Sequence, residues 1–210
     1  MCSSDLIRQA GWASLVQADS SVRATWDEAS QSAGSLSDLM AGLPLLLDQD
    51  LRGSAYPKVQ AILAEVPSSL RGPAGIKPET EAGNISTLRR AAIRAAVSIP
   101  RDQDKTFEAL TRLIAKGEEV TPAAQGIRSL PRANWPKDSA AGAADALVAW
   151  ARNVPASGRT AQPYVEVVQL ADELAGFMPA DRAVALRRQL KEIRVAVFVV
   201  RTVREQMRYD

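Results

Sequence analysis

The sequence predicts an all-α protein: antiparallel helix pairs stacked into an α-solenoid, with a short unpaired β-strand near the C-terminus. Three observations carry that expectation. An apolar residue followed by proline recurs at Leu43-Pro44, Val66-Pro67, Ile99-Pro100, Leu130-Pro131, Val154-Pro155 and Met178-Pro179. Each proline ends an apolar helical stretch, because it lacks an amide donor and bars the preceding residue from the helical region. The prolines stand 23, 33, 31, 24 and 24 residues apart, the irregular rhythm of a degenerate helical repeat. Between them, apolar residues fall three and four apart, the period of one buried helix face. Composition agrees. Hydrophobic residues make up 46% of the 210 and aromatics only 5%, which suits helices packed closely through alanine.

In chain order, Met1-Cys2-Ser3-Ser4-Asp5-Leu6 has neither the basic nor the apolar region of a signal peptide. These six residues read as a translated sequencing-adapter tail, and the expectation is a natural chain that begins further upstream. Helices are expected near 5–17, 21–32, 35–47 and 55–65, with Ser35 and Asp38 as a capping arrangement. Residues 1–66 then form an N-terminal helical lobe. Residues 67–84 hold three prolines and three glycines with few large apolar side chains, and read as a linker.

A helical repeat domain is expected over 85–193. In its first helix, 85–99, Leu88, Ala92, Ala95, Ala96 and Ile99 share a face, with Arg89, Arg90 and Arg94 beside it. Phe107, Leu110, Leu113 and Ile114 stripe the next helix, with Asp104 as its cap. Thr121-Pro122 reads as the start of another that carries Ile127 and Leu130, a cap residue followed by proline at the first helical position. Residues 139–154 place Ala143, Leu147, Trp150, Ala151 and Val154 together, and 161–178 do the same with Tyr164, Val168, Ala171, Leu174, Ala175 and Met178. Asp181 is expected to cap a helix bearing Ala183, Leu186, Leu190 and Ile193. Val195–Val200 is apolar, β-branched and aromatic, the composition of a buried strand, although no other segment offers it a partner. Residues 194–210 are therefore expected to lead into a further domain. A continuation of the last helix is the alternative.

Histidine is absent and Cys2 is the one cysteine. The usual general base near neutral pH is therefore missing, and so are the side chains that build copper, haem or thiolate-zinc centres. No catalytic, cofactor-binding or metal residue is identified, and no cofactor is expected. The net charge of +2 gives no bulk attraction to nucleic acid. The charge is uneven, however: residues 1–70 carry four bases against eight acids, and residues 181–210 eight bases against four acids. The longest wholly apolar run is six residues, too short to span a membrane.

Arg89-Arg-Ala-Ala-Ile-Arg-Ala95 resembles the HEAT repeat pattern, so the expected fold is a HEAT-like α-solenoid. From about residue 127 to 210 the resemblance is narrower. Arg128-Ser-Leu-Pro-Arg-Ala-Asn-Trp-Pro-Lys-Asp138, Ala146-Leu-Val-Ala-Trp-Ala-Arg152, Val167-Val-Gln-Leu-Ala-Asp-Glu-Leu174 and Arg201-Thr-Val-Arg-Glu-Gln-Met-Arg-Tyr-Asp210 carry it, with Arg8-Gln-Ala-Gly-Trp-Ala-Ser-Leu-Val16 at the start. These strings resemble the HEAT-repeat region that precedes a plastocyanin/azurin-like blue-copper domain in planctomycete-type secreted proteins. The resemblance implies a periplasmic or cell-envelope setting, electron transfer nearby and a copper domain after residue 210. Some such proteins also carry haem modules. Neither ligand set stands in this sequence, so no metal residue carries over.

The resulting expectation is a non-catalytic scaffold that engages a protein partner or an adjacent domain of its own chain. Trp135, in Trp135-Pro-Lys-Asp138, is a candidate surface aromatic, although packing inside the repeat accounts for it better. Arg201, Arg204 and Arg208 form a candidate basic patch for an anionic partner. Glu118-Glu119 and Asp48 with Asp50 are carboxylate pairs with nothing beside them that suggests hydrolysis. Two other functions compete: nucleic-acid binding along Arg89, Arg90 and Arg94 or along the C-terminal arginines, and an enzyme with its site between the lobes near 67–84.

Overall fold

A computed structural model describes residues 3–206, with side chains over 4–193, and among these residues there is helix and no strand. The helices are α1 (Ser3–Ala18), α2 (Val22–Ala29), α3 (Ala33–Gly42), α4 (Gln49–Ser54), α5 (Tyr56–Ala64), α6 (Ser68–Arg71) and α7 (Pro78–Ser98). After them come α8 (Gln103–Ala115), α9 (Val120–Ser129), α10 (Lys137–Asn153), α11 (Gln162–Ala175) and α12 (Ala180–Gln206). No helix among the described residues is long and apolar enough to cross a membrane.

The chain divides into two compact units, Met1–Ala109 and Leu110–Asp210. In the first, α3 and α7 pack together, α1 and α2 lie on α3, and α5 and α6 lie on α7. Leu36, Leu39 and Met40 of α3 are fully buried, as are Leu88, Ala92, Ala95 and Ala96 of α7. Small side chains set the spacing. A Cβ placed on Gly42 would stand 2.5 Å from the Gln9 carbonyl oxygen, so only glycine admits α1 this close to the end of α3.

The division differs from the expected one. Residues 67–84 do not link two lobes: they supply α6 and the start of α7, both inside the first unit. Asn84 donates to the Arg71 carbonyl at 2.9 Å, and Arg71 Nε donates to the Val66 carbonyl at 3.0 Å. These bonds satisfy the backbone of a segment whose prolines and glycines favour turns over regular structure.

In the second unit, α11 packs against α9, α10 and α12, and α10 packs against α12. Each of these contacts joins helices that are neighbours or next neighbours along the chain. At Leu130, Ile99 and Val154 the residue before proline is extended, as the sequence predicts, whereas Leu43 stays helical (φ −53°, ψ −39°) and Pro44 continues in a short 3-10 turn. Leu130 leaves α9 with φ −74° and ψ 142°, and Ile99 leaves α7 with φ −89° and ψ 115°. Both side chains stay in the core while proline starts the next segment. Leu43 and Val66 are likewise buried, and Val154 and Met178 half-buried.

Three local expectations are corrected. The expected strand at 195–200 is part of α12, as in the alternative reading. A lone strand leaves its backbone groups unpaired, whereas a helix satisfies them within itself. The cap of α3 is Ser32, whose hydroxyl accepts from the Ser35 amide at 3.0 Å; Asp38 instead pairs with Arg8 at 2.8 Å. Helix α9 begins at Val120 behind a left-handed Glu119 (φ 45°), one residue before the expected Thr121 cap. Pro122 is tolerated inside the first turn because amides there have no helical partner.

Candidate functional site

Trp135 lies in the turn between α9 and α10 and is 4% exposed. Its indole N–H donates to the Leu130 carbonyl at 3.2 Å, and its ring meets Phe177 with centroids 5.4 Å apart. The guanidinium of Arg132 sits 5.8 Å from the ring centroid. Trp135 is thus a packing residue of the second unit and presents no aromatic surface to a partner. Burial of so large a ring, with its one donor satisfied, favours that placement.

A polar ladder joins α9 and the turn after it to α11. Glu173 accepts from Arg128 at 2.8 Å and from Arg132 at 2.7 Å. Two turns away, Glu166 accepts from Gln125 at 2.8 Å and from Gln162 at 3.2 Å. These two hydrogen bonds, the Gln125 bond foremost, hold the Glu166 carboxyl below its usual pKa. On the other helix pairs, Arg182 meets Asp145 at 2.7 Å and Arg187 meets Asp172 at 3.3 Å. The exposed charges of this unit thus register one helix against another.

Of the expected basic patch, Arg201 and Arg204 fall on the last turns of α12, where only the backbone is described, and Arg208 lies outside the described residues. On α7, Arg90 and Arg94 are exposed and Arg89 is half-buried. The carboxylate pairs have structural uses. Asp48 caps α4, accepting from the Asp50 and Leu51 amides at 2.9 Å each, and Glu119 occupies the turn before α9.

The first unit holds one feature that sequence reasoning missed, an open cleft of about 740 Å³. The turn after α1, the start of α2, and α4 with α5 line it through Ser20, Arg23, Asp48, Asp50, Ser54 and Lys58. Its charges balance, and Lys58 is engaged with Asp27 at 3.3 Å and with the Trp26 ring at 5.7 Å. Ser20, at φ 48°, makes the turn. No short motif marks these residues, since they come from three separate segments. Among the described residues no group of three or more histidine, cysteine, aspartate or glutamate side chains could hold a metal ion.

Comparison with family models, with curated proteins and with solved structures finds no match to this chain.

Proposed function

We propose that this chain is a non-catalytic helical-repeat scaffold, an α-solenoid segment whose stacked helix pairs engage a protein partner or a neighbouring domain. The observation that supports this reading is the packing of α9 to α12, where every closely packed pair of helices is a neighbour or next neighbour along the chain. Such stacking is how a helix pair that cannot bury its own apolar face finds cover, and it generates extended surfaces suited to partners. The sequence supports it further: without histidine, the commonest proton-transfer and metal-ligating chemistry has no side chain to use. The resemblance of residues 127–210 supports a setting for the scaffold within a larger cell-envelope electron-transfer protein, beside a redox domain.

Metal analysis of the purified full chain tests the reading. Substoichiometric copper, zinc and iron are expected. A stoichiometric transition metal that survives dialysis against chelator would overturn it.

A further inference from the structure

The outer side of α1 is apolar where a surface helix ordinarily carries charge. Ala13 and Val16 turn into the first unit, where α1 packs on α2 and α3. On the opposite side Ser4, Ile7, Gly11, Leu15 and Ala18 fall three and four apart, one helix face, and none of them is charged. All five are exposed, Ile7 at 71% and Leu15 at 47%. At the edges of this face Ser14 donates its hydroxyl to the Ala10 carbonyl at 2.8 Å, and Arg8 is engaged by Asp38 at 2.8 Å, so neither is left unpaired when the face is covered. Gly11 sits in the middle. A glycine inside a helix costs about 1 kcal/mol against alanine. Among the described residues nothing beyond its own helix stands within 4 Å of a Cβ placed there, so the fold of the chain does not call for it. A close approach from outside does.

We infer that α1 docks on α1 of a second copy of this chain, antiparallel and two-fold about Gly11. Ile7 and Leu15 each stand four residues from Gly11, and Ser4 and Ala18 each seven. A reversed copy therefore sets Ile7 on the partner's Leu15, Ser4 on the partner's Ala18 and the two glycines at the crossing. That is the self-complementarity a two-fold interface needs. The glycines let the two backbones come close, and the antiparallel arrangement opposes the helix dipoles where a parallel copy would align them. A charged partner helix finds no counter-charge on this face, whereas a copy buries no unpaired charge. Sixteen residues of helix are about 24 Å long, a contact well below the roughly 800 Å² per partner of a standard interface. The dimer is accordingly reversible, half formed at about 100 μM. This self-association goes beyond the scaffold reading and does not depend on it.

Sedimentation equilibrium of the full chain tests the inference, in reducing buffer so that Cys2 cannot link chains. From about 5 to about 500 μM, either side of the expected midpoint, the mass should climb toward twice the monomer's. Ile7→Glu and Leu15→Lys should each weaken association at least about tenfold, with an unchanged melting temperature because both side chains are exposed in the monomer. Mixed one to one, the two variants should associate at least about threefold more tightly than either alone. Only the antiparallel register sets the new carboxylate on the new ammonium, and misfolding cannot produce that recovery. Gly11→Leu should loosen the dimer while raising the melting temperature. A constant monomer mass, association unchanged in either single variant, or a mixture without recovery would each overturn the inference. A monomer that floats with lipid vesicles would do so too, since it gives the face to a membrane surface. A monomer leaves the scaffold reading intact.

Discussion

Tyr56 shows how one side chain ties α5 to the turn before α8. It is buried, and its hydroxyl donates to the Asp102 carbonyl at 2.9 Å, accepts from Gln60 at 2.7 Å, and lies 3.2 Å from Thr106 Oγ1. Burial, and less so the charge of Asp102, push its pKa above the ordinary 10.0, against the hydrogen bonds from Thr106 and Gln60. The native state therefore holds the phenol proton at pH values where the unfolded chain releases it. The stability that this group adds is complete below about pH 10 and falls as pH rises through the raised native value. Tyr56→Phe should lower stability at pH 7 by about 1 kcal/mol and flatten the alkaline slope, both read from urea denaturation at pH 7 and pH 10.5. An unchanged slope would mean that another group carries it. Trp135 makes the contrasting case in the second unit. Trp135→Ala should lower stability by about 3–5 kcal/mol through the cavity left beside Phe177, seen as a shift in urea midpoint. A neutral result would return the ring to the surface role that its sequence setting also allowed.

At the scale of elements, the helices were legible where hydrophobic period and proline agree, and less so where a cap decides. Helices α10 and α11 start within two residues of the expected 139 and 161, because the apolar stripes at Ala143–Val154 and Tyr164–Met178 have a single helical period. The start of α3 was misplaced because three serines compete there. Ser30, Ser32 and Ser35 are chemically equivalent in sequence, and only the extended backbone of Ser32 (φ −144°) turns its hydroxyl onto the first-turn amides. Ser32→Ala is expected to cost about 1 kcal/mol and Ser35→Ala a few tenths, a difference that thermal melts of the two variants resolve. The strand expected at Val195–Val200 failed for a different reason. β-Branched composition describes the side chains, while the backbone follows whichever hydrogen-bond partners exist, and a helix carries its own. The cleft of the first unit was invisible because Ser20, Asp48 and Lys58 converge only through the packing of α2, α4 and α5.

For the molecule as a whole, the question is whether stability is held in common or unit by unit. Leu36 of α3 and Leu147 of α10 are both fully buried, one in each unit. Truncation of either to alanine should remove about 3 kcal/mol from the core around it. Because α3 packs on α1, α2 and α7 and α10 packs on α11 and α12, each within its own unit, that loss spreads no further than the unit that contains it. In hydrogen exchange of the full chain, Leu36→Ala should speed exchange in α1, α3, α5 and α7 and leave the amides of α10 and α11 at their wild-type rates. Leu147→Ala should do the converse, with the seam of α12 over Ala183–Ile193 loosening alongside α10. The expected boundary at 67–84 gives another outcome: α7 would then follow Leu147 and not Leu36. The packing of α7 on α3 sets the sign of that result. A uniform rise in exchange along the whole chain, from either variant, would mean one cooperative body and would remove the quasi-one-dimensional stacking on which the scaffold reading depends.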